Sequence, residues 1–176
     1  MSEFRFSPIY DEETLWNAVS YIHTASHILC RELLGSYLPI AGNVGIFCHF
    51  EDEFQQLTVL RERLTTSAIH WNNKYFHLHE PVTIPRHGDI PEATYRYLYI
   101  RKPDAAKPQV GDLDFYLNPP SYEKLRQSVT RGSYPNGVSL LERPDLDLVQ
   151  LSDPHRDVLA FVGSYDLEKI TIHQGF

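Results

Sequence analysis

The sequence predicts an α+β domain, a mostly antiparallel sheet with helices packed on one face. Three observations predict it. Apolar residues recur at helical spacing over two early stretches. Later stretches alternate apolar and polar residues with the two-residue period of a strand. Successive strands are joined by short connections, which favour antiparallel pairing.

The first helix is predicted over 11–34. Asp11 is a suitable N-cap, and Glu12 and Glu13 complement the positive end of the helix. Leu15, Val19, Ile22, Ser26, Leu29 and Leu33 form its inward stripe, and Gly35 can close it in a left-handed conformation. Val44–Phe50 reads as a strand with Val44, Ile46, Cys48 and Phe50 on its apolar face. Glu51–Leu64 reads as a helix buried along Phe54, Leu57, Leu60 and Leu64. A polar connection follows to Lys74, with Trp71 as a candidate anchor. Tyr75–Ile84 is a strand in which Pro81 signals an edge position or a bulge.

Ala93–Leu117 reads as two strands joined by a Pro-containing connection. Asn118-Pro119-Pro120 opens a third helix, because Asn caps well and Pro fits the first turn. Gly132–Gly137 is a turn-rich loop. Leu146–Leu151 and Val158–Val162 read as a hairpin, and Lys169–His173 as a short terminal strand. At the level of architecture this order resembles a ferredoxin-like or vicinal-oxygen-chelate-like layout.

A chain of 176 residues with 42% hydrophobic and 22% charged residues is sized and composed as one globular domain, spanning 1–176. The net charge of −7 disfavours nucleic acid as a partner, since Lys and Arg supply most of that affinity. No run approaches the ~18 apolar residues of a membrane span. The N-terminus has no basic region followed by an apolar core, so no signal peptide is expected. Cys30 and Cys48 lie in apolar surroundings without C-x-x-C spacing. They read as free thiols of a reducing, cytoplasmic setting. The phosphate-loop, dinucleotide-fingerprint and nucleophile-elbow motifs are all missing.

The functional expectation rests on 11 Tyr and 9 His, several of which share strand faces. Residues two apart on a strand point the same way. Tyr95, Tyr97, Tyr99 and Arg101 therefore share one face, as do Asp112, Asp114 and Tyr116, and Tyr75, His77 and His79. If the three strands are neighbours, these faces pool. Such a surface suits a small planar or anionic molecule, with acid–base chemistry to transform it. His77 or His79 would move protons and Asp112 or Asp114 would orient the imidazole. Tyr95, Tyr97, Tyr99 and Tyr116 would contact the ligand, and Arg101 would hold an anionic group. The alternative is an interaction module whose Tyr-rich face meets a protein partner or a second copy.

His77 and His79 could also chelate a metal. His23 and His27, at i and i+4 on a helix, have metal-competent spacing, but Thr24 stands where a zinc protease would place Glu. Asp145 and Asp147 share a strand face and are a weaker hard-metal pair. The residues name no cofactor.

Overall fold

The computed structural model describes residues 4–66, 75–143 and 146–165. Three helices and seven strands alternate as α1 (Glu12–Leu34), β1 (Ala41–Phe47), α2 (Glu51–Leu64), β2 (Phe76–Ile84), β3 (Ala93–Arg101), β4 (Gly111–Leu117), α3 (Pro119–Thr130), β5 (Val138–Arg143), β6 (Leu146–Leu151) and β7 (Val158–Ser164). The strands form one sheet in the order β2-β3-β1-β4-β7-β6-β5. β1–β3 and β4–β7 pair in parallel. β1–β4, β2–β3, β5–β6 and β6–β7 pair antiparallel, so the sheet is mixed and mostly antiparallel.

The helices form for the reasons their termini announce. The Asp11 side chain accepts from Thr14 N at 2.7 Å. Gly35 sits at φ 81°, and its N–H reaches the Arg31 carbonyl at 2.9 Å. Asn118 accepts from Ser121 N at 2.9 Å ahead of two prolines. All three helices cover one face of the sheet. His27 of α1 packs edge-on to Phe115, Arg61 of α2 lies over the Phe76 ring, and Leu125 of α3 shares a cleft with Leu117. The fully buried Leu15, Ile22, Leu29, Leu57, Leu98, Leu113 and Val162 belong to the core between these layers.

Four sequence expectations change. β1 begins at Ala41 and ends at Phe47, earlier than expected at both ends. β3 and β4 are not neighbours, because β1 lies between them. Every residue from Asn43 to Phe47 is buried, as in a central strand, and the nine residues 102–110 are long enough to step over it. β5 is a strand that the sequence pattern does not announce. Finally, the strand order β2-β3-β1-β4 is that of a ferredoxin-like sheet, but β1 and β3 run parallel where that layout is antiparallel throughout.

Tyr95 also leaves the face expected for it. β2 advances five residues from His77 to Val82 while β3 advances two, from Tyr97 to Tyr95. Residues 78–81 therefore form a hump on the edge strand, around Pro81. Opposite it the inward set of β3 runs Ala93, Tyr95, Leu98, Ile100, so the alternation slips by one residue. The predicted terminal strand 169–173, the Trp71 anchor and Asp145 lie outside the described residues.

Candidate functional site

The sheet face opposite the helices carries the polar cluster. Its centre is a rung across three strands, Tyr99 of β3, Gly45 of β1 and Asp112 of β4, which are paired in register. Gly45 is required there by close approach. A Cβ at that position would lie 2.1 Å from Asp112 Oδ1 and 3.2 Å from the Tyr99 ring. The Asp112 carboxylate thus leans over the bare backbone of β1 toward Tyr99.

One step along the strands, Asn43 Nδ2 donates to the Tyr116 hydroxyl at 3.2 Å and to Asp114 Oδ2 at 3.4 Å. The Tyr75 hydroxyl donates to the same Asp114 oxygen at 3.5 Å, a long contact. The Tyr75 and Tyr99 rings stand 5.8 Å apart, tilted by 43°. The Tyr116 ring fills the space that a Cβ on Gly42 would need. Burial, then Asp114, Asp112 and the neighbouring phenols, holds the Tyr75 hydroxyl well above the ordinary phenol range. Tyr99 is raised mainly by burial, against the opposing charge of Arg101. Both phenols therefore stay protonated and act as donors beside two carboxylates.

The other predicted residues are placed elsewhere. Arg101 donates to Asp104 Oδ2 at 2.8 Å and lies over the Phe47 ring. His77 packs edge-on to Tyr97 at 5.1 Å. His79 sits on the hump, exposed, in a cleft with Trp16, Arg63 and Glu80. Three strand spacings separate β2 from β4, about 14 Å, so neither histidine reaches Asp112 or Asp114.

Tyr95 instead joins the two histidines of α1. His23 Nδ1 and the Tyr95 hydroxyl are 2.7 Å apart, and the His23 and His27 rings are 4.6 Å apart. Each imidazole is 1% exposed. Burial pushes both down to about 4, with the Pro91 carbonyl opposing this at His23 and the neighbouring His23 adding to it at His27. Asp147 accepts from Arg126 Nε at 2.6 Å and from the Tyr122 hydroxyl at 3.2 Å, which ties it to α3. Among the described residues no three His, Cys, Asp or Glu side chains converge on a metal position.

Sequence reasoning missed Asn43 and Gly45. A glycine inside a strand was the available signal, since it marks close approach. It also missed a Ser–His–Glu cluster. Ser7 Oγ lies 2.6 Å from His49 Nδ1 and donates to Glu53 Oε1 at 2.8 Å. This is no nucleophile triad, because the acid meets the serine rather than orienting the imidazole, and Ser7 is 4% exposed.

No family model matches the sequence. No curated protein matches it either. A solved structure described as "Structural Genomics, Protein EC4020" is similar over 96% of each chain, with a TM-score of 0.52 and 15% identity. At that identity the likeness concerns the fold alone, and the description carries no activity. No described helix is long and apolar enough to cross a membrane.

Proposed function

We propose that the polar face of β3, β1 and β4 binds a small molecule rich in hydrogen-bond donors that joins a planar ring to a protonated amine, of the arylalkylamine type. The observation that carries this is the convergence of Asp112, Asp114, Tyr75, Tyr99 and Tyr116 above Gly45 and Asn43. A carboxylate accepts up to about four hydrogen bonds, so two of them accommodate ligand donors as well as protein ones. The phenol rings supply stacking surface and attract a cation. An anionic ligand is the poorer match, because Arg101 is turned to Asp104. Proton transfer at this face would fall to the carboxylates and phenols rather than to His77 or His79. A reducing compartment fits the two buried thiols, Cys30 and Cys48.

The burial profile favours a ligand over a protein partner. Tyr116 and Asn43 are each 2% exposed, whereas Tyr75, Tyr99, Asp112 and Asp114 keep partial access. A standard interface needs about 800 Å² per partner from a surface still open to solvent.

The test is thermal melting with matched probes, benzylamine-type amines against benzoate-type acids. The amines are expected to raise the Tm of the parent protein, and the rise should shrink in Asp112→Asn, Asp114→Asn and Tyr99→Phe. Equal response to amines and acids, or an unchanged rise in all three variants, would overturn the reading.

A further inference from the structure

His49 stands where three pieces of the chain meet: the N-terminal segment, the start of α2 and the connection 102–110. Its ring is half-buried and stacks on Phe4, with centroids 3.9 Å apart. Its Nε2 points at the Pro108 carbonyl at 3.2 Å. Its Nδ1 lies 2.6 Å from Ser7 Oγ, and that hydroxyl donates to Glu53 Oε1 at 2.8 Å.

The supply of hydrogens fixes the state of this ring. A carbonyl oxygen only accepts, so Nε2 must donate to Pro108. Ser7 has a single hydroxyl hydrogen. If that hydrogen went to Nδ1, the Ser7 and Glu53 oxygens would face each other at 2.8 Å with nothing between them. Glu53 is a poor source of one, because the N–H groups of Ile9, His49 and Phe50 also aim at its two oxygens. The Ser7 hydrogen therefore belongs to Glu53, and Nδ1 must donate to Ser7.

We infer that the N-terminal segment is held by a proton-dependent clasp. In it His49 carries hydrogen on both ring nitrogens and forms an ion pair with Glu53 through the Ser7 hydroxyl. The charges around the ring agree with this. Glu53 has no exposure, and none of the ion pairs among the described residues includes it. A buried carboxylate is costly without a compensating positive charge, and His49 is one hydroxyl away. Glu51 and Asp52 add negative charge in the first turn of α2, against roughly half a positive charge at the helix end. Asp52 also accepts from the Tyr10 hydroxyl at 2.7 Å. On the other two pieces, Arg5 is tied to Asp157 and Arg101 to Asp104, which leaves Lys107 beside Pro108 as the opposing cation.

Loss of one ring proton leaves either Pro108 or Ser7 without its donor. Docking and protonation are thus linked, so the clasp holds on the acid side and loosens on the alkaline side. It involves none of the residues of the acidic face of β3, β1 and β4, and it stands or falls independently of the function proposed there.

The experiment is NMR of the full chain, ¹⁵N-labelled in its backbone and its histidine rings, from about pH 6 to about pH 9. At the acid end both His49 ring nitrogens should carry protons, and residues 4–7 should have order parameters near about 0.85. At the alkaline end Phe4 and Ser7 should fall below about 0.6, while Ile9, 1% exposed in the core, stays rigid. In His49→Gln the order of residues 4–7 should be the same at both ends. Glu53→Gln, which still offers an accepting oxygen, should shrink the acid–alkaline difference. A bare ring nitrogen at the acid end, equal order at both ends in the parent, or a difference kept in His49→Gln would overturn the clasp. An undiminished difference in Glu53→Gln would overturn the ion pair.

Discussion

Glu53 has no exposure, and its carboxylate is met by four donors. Ser7 Oγ and Ile9 N reach Oε1 at 2.8 and 2.9 Å, and His49 N and Phe50 N reach Oε2 at 2.7 and 3.3 Å. This one side chain ties the N-terminal segment to the start of α2. Removing it takes an acceptor from all four, two of them, Ser7 Oγ and Ile9 N, at buried contacts. Glu53→Ala is therefore expected to destabilise the fold by on the order of 3 kcal/mol, measured by urea denaturation. Glu53→Gln should cost less, since an amide oxygen still accepts. The sequence shows Glu53 only as a favourable first-turn residue of α2. Its burial depends on Ser7 and Ile9, more than forty positions away, which no local pattern reports. Asp112, Asp114, Tyr99 and Tyr116 were legible as a polar face because strand alternation is local. Tyr95 was misplaced because the slip in β3 is a response to the hump in β2.

At the scale of elements, β1 organises the candidate site. It inserts between β3 and β4, and its Gly45 makes room for Asp112 to approach Tyr99. Gly45→Ala should force the Asp112 carboxylate aside and cost about 1–3 kcal/mol, as overpacking does. The same variant should lose response to benzylamine-type amines. A denaturation curve and a melting titration on one preparation would check both. The helix boundaries were legible because caps and periodicity act within a few residues. Strand order was not legible, because the Val44–Phe47 run reads alike whether it lies at a sheet centre or beside its chain neighbours. The Pro81 signal was correct in kind, since β2 is an edge strand with a register shift there.

At the scale of the whole molecule, the buried pair His23 and His27 links folding to pH. Both are held neutral in the folded chain, with values lowered from 6.5 to about 4. The unfolded chain binds more protons between those limits. Stability is therefore full above about 6.5 and falls as the pH drops toward about 4, by roughly 3 kcal/mol for each imidazole. Melting temperature against pH should show that loss, and His23→Gln with His27→Gln should flatten it. An equally steep loss in the double variant would remove the histidines as its cause. The α+β class itself was legible from periodicities that act everywhere along the chain.

Binding at the acidic, tyrosine-lined face is seen residue by residue in amide chemical-shift mapping by NMR during titration with benzylamine. The largest shifts are expected at Asn43, Gly45, Tyr99, Asp112 and Asp114. Shifts confined to residues away from β1, β3 and β4, or no shifts at saturating ligand, would contradict it.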